Sequence, residues 1–280
     1  MINEKHTIKL AFVGGGNMAS AIAAGLIGKR CAAQDVLVID PNPKALERWQ
    51  QQGTLTAATV DAQMAQQRIW VFAVKPQQMK AVVQQCAPFI QPDTLVISVA
   101  AGIPAQAIAQ WLGGAGAPHN RVVRCMPNTP AFIGCGATGL MALSEVSAED
   151  KAIAELLFKT VGTYVWVDSD EAIDAVTALS GSGPAYVFLF LEALIQGGVE
   201  QGLSAEQARK LAFSTVSGAT ELAALSPLPL AELRANVTSE GGTTAAALDV
   251  LSEQGFSPLV QQAMAAAKVR AAELALTFSK

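Results

Sequence analysis

In Phe12-Val13-Gly14-Gly15-Gly16-Asn17-Met18-Ala19, three glycines stand where an apolar strand turns sharply into a helix. Residues 8–13 form an apolar run that predicts a buried strand, and apolar residues recur at helical spacing over residues 17–28. The first N–H groups of such a helix are unpaired and lie at the positive end of the helix dipole. The segment therefore predicts a site for a pyrophosphate.

The small and acidic residues around this turn have the spacing typical of dinucleotide binding. Gly14 permits the tight bend, Gly16 lets the backbone approach the phosphates, and Ala19 keeps the helix close to the strand. Asp40 ends a second apolar run about 20 residues further on, where a carboxylate on the adenosine ribose is expected. The alternative for Asp40 is a strand-end residue that caps the turn at Pro41-Asn42-Pro43.

Further apolar runs alternate with helical patterns through the first half of the chain. Candidate strands cover residues 69–74, 94–99, 121–126, 137–143 and 163–167, and a helix begins after Ser147. This order predicts an α/β fold, with a Rossmann-like, doubly wound and mostly parallel sheet in a dinucleotide-binding domain of residues 1–168.

Residues 169–280 are predicted to form an all-helical domain for dimerisation and substrate binding. Residues 184–202 are almost wholly apolar, a capping box at Ser204 opens the next helix, and Ser257-Pro258 supplies a cap and a first-turn proline for the last. The helix over residues 185–199 is apolar on most faces, so we expect it to pack against a second copy of the chain. The alternative is a central helix buried within one protomer.

Composition excludes several classes of protein. The chain has 280 residues, enough for two domains, and its formal net charge of −4 gives no basic surface for nucleic acid or an anionic membrane. Polar residues are expected to interrupt each apolar run before it reaches membrane-spanning length. The four cysteines lack metal-ligand spacing and the N-terminus lacks an apolar signal region, so we expect a cytoplasmic protein with reduced thiols and no metal site.

Three of the predicted strands end in unusual turns, namely Ala73-Val74-Lys75-Pro76, Val99-Ala100-Ala101-Gly102 and Met126-Pro127-Asn128-Thr129-Pro130. Ligands of open parallel sheets bind beyond the carboxyl ends of the strands. Small residues in the first two turns permit close approach of a flat cofactor, and the prolines around Asn128 fix a polar loop. Together the three turns predict a binding site at one sheet edge.

Two clusters of glycine and hydroxyl residues stand in the helical half, Ser180-Gly181-Ser182-Gly183-Pro184-Ala185-Tyr186 and residues 236–244. Both run into a helix, so both are predicted to present backbone N–H groups to a carboxylate, as substrate and cofactor contacts. The alternative for Thr243 and Thr244 is that one of them only caps a helix.

The scarcity of histidine narrows the chemistry. The chain has two histidines, His6 near the N-terminus and His119 in a loop, and neither is placed to act as a catalytic acid. Dehydrogenases of alcohols and hydroxy acids need a strong acid or base, whereas the nitrogen of an imine can be protonated by water near neutral pH. A hydroxyl such as that of Thr244 would then be sufficient.

In order and over nearly the full length, the motifs resemble those of the pyrroline-5-carboxylate reductase family. The matching segments are Gly14-Gly15-Gly16-Asn17-Met18, the three strand-end turns, Ser180 to Tyr186, and Thr238-Ser239-Glu240-Gly241-Gly242-Thr243-Thr244. The resemblance implies reduction of 1-pyrroline-5-carboxylate to L-proline by NADH or NADPH, the final step of proline biosynthesis. It also implies a homodimer with interleaved helical domains, often with five dimers in a ring as a decamer.

The resemblance assigns roles residue by residue. Ser239, Gly242, Thr243 and Thr244 would hold the substrate, with Thr244 as the residue that bonds its nitrogen. Asp40, from its spacing, and Asn128, from its loop, are predicted to line the cofactor. The resemblance implies that further residues line it, namely Gly14, Gly16, Asn17, Met18, Ala19, Ala73, Val74, Lys75, Pro76, Val99, Ala100, Ala101 and Asn236.

Two positions depart from the family pattern. NADPH-dependent members commonly carry Ser or Asn with a nearby Arg at the second strand end, where this chain has Asp40 followed by Lys44. A carboxylate repels a 2′-phosphate, so we expect NADH to be favoured or at least competitive. Glu240 stands where proline is frequent, and we expect its side chain to point outward.

Two other functions remain open on the residues alone. One is a hydroxy-acid dehydrogenase of similar architecture, which would need a catalytic lysine on the first long helix of the second domain. Residues 182–202 contain no lysine, which argues against it. The other is a dinucleotide-sensing protein that binds the cofactor without turnover.

Overall fold

The computed structural model describes residues 8–113 and 117–278. Its centre is an eight-stranded sheet in the order β3-β2-β1-β4-β5-β6-β7-β8. Neighbouring strands of the described chain run parallel, except that β6 and β7 are antiparallel. The strands are β1 (Leu10–Val13), β2 (Val36–Ile39), β3 (Leu55–Ala57), β4 (Ile69–Phe72), β5 (Leu95–Ser98), β6 (Val122–Met126), β7 (Gly136–Ala142) and β8 (Gly162–Trp166).

The central strands are apolar on both faces because helices cover both faces of the sheet. All four residues of β1, β2, β4 and β5 are buried, as is usual for parallel strands. The predicted mostly parallel, Rossmann-like sheet is confirmed. The sequence missed β3, because this three-residue edge strand pairs only with β2 and is too short to show a pattern.

The helices are α1 (Asn17–Leu26), α2 (Pro43–Gln50), α3 (Pro76–Cys86), α4 (Ala105–Gly113), α5 (Ala148–Lys159), α6 (Asp170–Val176), α7 (Gly183–Glu200), α8 (Ala205–Leu225), α9 (Leu230–Asn236), α10 (Thr243–Glu253) and α11 (Phe256–Phe278). Capping boxes at Ser147 and Ser204 open α5 and α8, as predicted. The predicted cap at Ser257 is wrong, because Gly255, at φ +70°, ends the preceding turn and α11 begins one residue before Ser257. Pro258 lies in the first turn of α11, where its missing N–H costs no hydrogen bond.

The chain divides into two compact units. The first contains the residues up to Ser182 and those from Ala267 onward, and the second is Gly183–Ala266. α6, which begins just after the boundary that the sequence predicts at residue 168, packs on β6 and β7 of the first unit. A buried cation explains this packing, since Arg124 of β6 is 1% exposed and pairs with both Asp170 and Asp174 of α6.

The end of α11 also belongs to the first unit. A side chain added at Gly102, just after β5, would lie 3.1 Å from Cβ of Leu274. Nothing in the sequence pattern indicates this return of the last helix to the sheet domain.

The apolar helix α7 is largely uncovered within the protomer. Leu191 is its one buried side chain, whereas Phe188 and Leu189 are 59% and 68% exposed. The expected interruption of every apolar run does not hold here, because Asp170–Glu200 is helical over 31 residues and could cross a membrane by length and composition. Only 11% of an apolar 18-residue stretch of this helix is buried, so the alternative of a helix buried within one protomer is wrong.

Candidate active site

The predicted cofactor segments of the first unit meet at one edge of the sheet. Because β1, β2, β4, β5 and β6 are parallel, the turns that follow them leave the sheet at the same side. Backbone hydrogen bonds continue past the strand ends, from Ala73 N to Val13 O at 2.8 Å and from Val99 N to Phe72 O at 3.1 Å. The structure therefore brings together the turns at residues 14–19, 73–76 and 99–101.

Gly14 and Gly16 have different surroundings in the fold. Gly14 has φ +100°, and a Cβ there would lie 2.7 Å from the carbonyl oxygen of Ala73. Gly16 is the extended N-cap of α1, and a Cβ there would meet nothing within 4 Å. Gly14 is thus required by packing within the fold, whereas Gly16 borders open space.

The N-terminus of α1 fits a pyrophosphate. No side chain caps it and no acidic residue stands in its first turn. Gly16 and Asn17 are exposed, Met18 is half-buried and Ala19 is fully buried against the core. The N–H groups of the first turn are therefore free for an anion, in the field of the helix dipole.

Asp40 lies at the end of β2 and faces the glycine turn. Its two carboxylate oxygens accept hydrogen bonds from Gly15 N and Asn42 N, each at 2.8 Å. The bond from Asn42 is the turn cap that the sequence left open as an alternative, and the bond from Gly15 joins the strand end to the predicted phosphate site. A carboxylate has about four acceptor positions, so two remain for a ribose hydroxyl.

The turns after β4 and β5 would contribute mostly backbone atoms to the predicted cofactor site. Pro76 is the first residue of α3 and Lys75 its exposed N-cap, while Ala73 and Val74 are half-buried. After β5, Ala100 is 4% exposed, so its side chain is not available, whereas Val99 and Ala101 are half-buried. Apart from Lys75, these turns present apolar residues at this edge of the sheet.

The side chain of Asn128 connects three segments of the fold through two hydrogen bonds. Its Oδ1 accepts from Ala137 N at 2.9 Å, and its Nδ2 donates to the carbonyl oxygen of Ser180 at 3.0 Å. The carboxamide therefore ties the loop after β6 both to β7 and to the helical segment that follows α6. One amide hydrogen remains for the predicted cofactor contact.

The predicted free helix N-terminus at residues 180–186 is wrong. Residues Thr177–Gly181 form a π-helical turn between α6 and α7, and Ser182 N donates to Thr177 O at 2.8 Å. The helical backbone thus continues through the cluster, which leaves no free helix start there. A Cβ at Gly181 would lie 2.6 Å from Cε of Met126, so the end of that flexible side chain would have to move aside.

The second unit contains the predicted substrate residues. Asn236 is the exposed last residue of α9, and Gly242 is the N-cap of α10, so Thr243 and Thr244 are its first two residues. The alternative that either threonine is the N-cap is therefore wrong. Thr244 is half-buried, whereas Thr243 is exposed.

The loop before α10 is tightly folded around Ser239. A Cβ at Gly242 would lie 2.5 Å from Oγ of Ser239, and Gly241 has φ +67°. Ser239 and Glu240 are exposed, as expected for Glu240. The uncapped start of α10 thus offers N–H groups to a carboxylate.

His119 is remote from the carboxyl edge of the sheet. Its Nε2 lies 2.8 Å from the carbonyl oxygen of Thr94, which immediately precedes β5, and burial lowers the pKa of the imidazole. Its position supports the prediction that it is not a catalytic acid. His6 lies outside the described residues.

Sequence reasoning missed Trp49. This residue of α2 is 2% exposed, and its Nε1 donates to the carbonyl oxygen of Gly15 at 2.9 Å. The partners are 34 positions apart, so no local signal could have revealed the contact.

Two family models match the chain. Residues 170–274 match the model described as pyrroline-5-carboxylate reductase dimerisation, and residues 9–102 match one described as NADP oxidoreductase, coenzyme F420-dependent. A pyrroline-5-carboxylate reductase of Pseudomonas aeruginosa is 43% identical over 270 residues, which cover 96% of this chain and 97% of the relative.

Solved structures agree with these matches. The pyrroline-5-carboxylate reductase of Coxiella burnetii has a TM-score of 0.87 and 38% identity, covering 96% of this chain and 99% of that one. The pyrroline carboxylate reductase of Plasmodium falciparum, solved with NADP bound, has a TM-score of 0.83 and 30% identity, covering 96% and 98%. The chain belongs to the pyrroline-5-carboxylate reductase family.

Proposed function

We propose that this protein reduces 1-pyrroline-5-carboxylate to L-proline with NADH or NADPH, the final step of proline biosynthesis. The observation that carries the proposal is the uncapped N-terminus of α1, with open space at Gly16, on the sheet edge where the turns after β4 and β5 also lie. Relatives that match nearly the whole chain bear the name of this enzyme.

The first unit would hold the cofactor. The N–H groups of Gly16, Asn17 and Met18 would bind its pyrophosphate, and Asp40 would accept from a ribose hydroxyl. The backbone of residues 73–76 and 99–101 would flank the nicotinamide, and the family resemblance implies a further contact from Asn236. When bound, the nicotinamide supplies the hydride that the imine carbon accepts.

The start of α10 would hold the substrate. Its uncapped N–H groups at Thr243 and Thr244, with the hydroxyl of Ser239, would bind the substrate carboxylate. The hydroxyl of Thr244 would hydrogen-bond the ring nitrogen and fix the orientation of the C=N bond. Water near neutral pH supplies the proton that the nitrogen takes up, so no histidine is needed.

The chain forms a homo-oligomer through its helical region, which matches the dimerisation model. We extend this to a dimer built on α7, whose Phe188 and Leu189 are exposed in the protomer, and to a decamer of five dimers. The proposal also places the enzyme in the cytoplasm, where its four free thiols, three of them buried, would stay reduced.

The test is turnover in both directions. Purified protein should oxidise NADH or NADPH only when 1-pyrroline-5-carboxylate is added, and should reduce NAD⁺ with L-proline at high pH. A hydroxy acid in place of proline is the control for the dehydrogenase alternative. Protein that binds NADH but gives no turnover with either substrate would contradict the proposal and favour a dinucleotide sensor.

A further inference from the structure

The peptide of Gly15 is held from both sides by side chains. Its N–H donates to Oδ2 of Asp40 at 2.8 Å, and its carbonyl oxygen accepts from Nε1 of Trp49 at 2.9 Å. Gly15 is buried and Trp49 is 2% exposed, so water does not replace either bond readily. An unsatisfied carbonyl at such a position would be costly.

Both partners come from one segment, residues 39–49, which contains the end of β2 and most of α2. This segment also supplies the carbonyl oxygen of Ile39, which accepts from Gly14 N at 2.8 Å. Three hydrogen bonds therefore connect residues 39–49 to two consecutive residues of the glycine turn. The turn lies directly before the N–H groups proposed to bind the pyrophosphate.

Trp49 is itself fixed by its surroundings. It lies on the buried face of α2 with Ala45 and Leu46, and its ring stacks on Phe12 with centroids 5.9 Å apart. A Cβ at Gly15 would lie 2.8 Å from Nε1 of Trp49, so only glycine lets the indole reach the carbonyl. The indole and the middle glycine of the turn are thus complementary.

We infer that Trp49 is a positioning residue for the nicotinamide cofactor, an inference that rests on the proposed function. It fixes the Gly15 peptide so that the N–H of Gly15 donates to Asp40. The N–H groups of Gly16, Asn17 and Met18 then stay free for the anion. A turn ordered during folding loses less entropy when the cofactor binds. Trp49 therefore raises cofactor affinity without touching the cofactor.

Trp49→Phe, which keeps an aromatic ring but removes the donor, tests this inference. The dissociation constant and KM for NADH should rise about three- to tenfold, the size of one lost neutral hydrogen bond, while kcat at saturation stays within about twofold. The matched control is Trp70→Phe. Trp70 is also fully buried, and its Nε1 donates to the carbonyl oxygens of Met64 and Gln67, away from the glycine turn.

Titration calorimetry with NADH and thermal unfolding without it should be measured for both variants. Both should unfold at lower temperature, but only Trp49→Phe should bind NADH more weakly. If Trp49→Phe does not fold, benzothienylalanine at position 49 keeps the ring system and replaces the N–H by sulfur, and the same loss of affinity is expected.

Wild-type affinity in a folded Trp49 variant, or an equal loss of affinity in the Trp70 control, would overturn the inference. Neither result would affect the proposed function, because wild-type turnover is measured separately. Wild-type protein that fails to bind NADH and to turn over would instead overturn both.

Discussion

Alanine at Gly14 should lower the stability of the fold, whereas alanine at Gly16 should weaken cofactor binding, although the two glycines belong to one turn. At Gly14, an L residue at φ +100° is strained by about 1–2 kcal/mol, and its Cβ would lie 2.7 Å from the carbonyl oxygen of Ala73. Overpacking of this kind costs about 1–3 kcal/mol, and the lower entropy of the unfolded chain offsets about 0.4–1 kcal/mol. We expect Gly14→Ala to lose about 1–5 kcal/mol of unfolding free energy.

Gly16→Ala should leave stability almost unchanged. Its φ of −75° suits alanine, and the added methyl meets nothing within 4 Å. The poorer capping by alanine, about 0.5–1 kcal/mol, is balanced by the reduced entropy of the unfolded chain. The methyl would instead occupy the space through which a phosphate reaches the N–H groups, so the dissociation constant for NADH should rise about 10- to 100-fold, as for a lost charge-assisted hydrogen bond.

Urea unfolding and NADH titration of both variants separate the two effects. Gly14→Ala should show a lower unfolding midpoint, and Gly16→Ala a wild-type midpoint with weak binding. Wild-type NADH affinity in Gly16→Ala would refute the assignment of this turn to the pyrophosphate. Wild-type stability in Gly14→Ala would refute the close approach of Ala73.

Three further substitutions test the rest of the site. Thr244→Ala should lower kcat about 100-fold with NADH affinity unchanged, because Thr244 is proposed to orient the substrate nitrogen, and unchanged kinetics would remove it from the site. Leu189→Glu should give monomers in sedimentation velocity together with loss of turnover, and a fully active monomer would contradict the α7 dimer. Leu189 is preferable to the buried Leu191, because a charge at Leu191 would disturb folding. Asp40→Ser with Asn42→Arg should shift the ratio of kcat/KM for NADH and NADPH toward NADPH, and an unchanged ratio would show that Asp40 does not face the ribose.

The sequence alone determined the features that depend on neighbours along the chain. Buried strands, helix starts such as Ser147 and Ser204, and the strand-to-helix turn at Gly14 are set by local periodicity and by backbone conformations that few residues adopt. These signals sufficed for the sheet, for the meeting of the strand-end turns at one sheet edge and for the order of the motifs that the family shares. They did not reveal β3 or the continuous helix through residues 177–183, because neither has a local pattern that distinguishes it.

Only the tertiary structure decided which distant groups meet. Trp49 donates a hydrogen bond to a carbonyl 34 positions away, and Asn128 donates one to a carbonyl 52 positions away. The sequence had indicated a cofactor contact for Asn128 and no contact for Trp49. The end of α11 returns to the first unit, and Arg124 draws α6 onto the sheet. Such contacts depend on how the strands pair and on which face each helix turns to the core, and these are set by the packing of the whole domain and not by any segment of the chain.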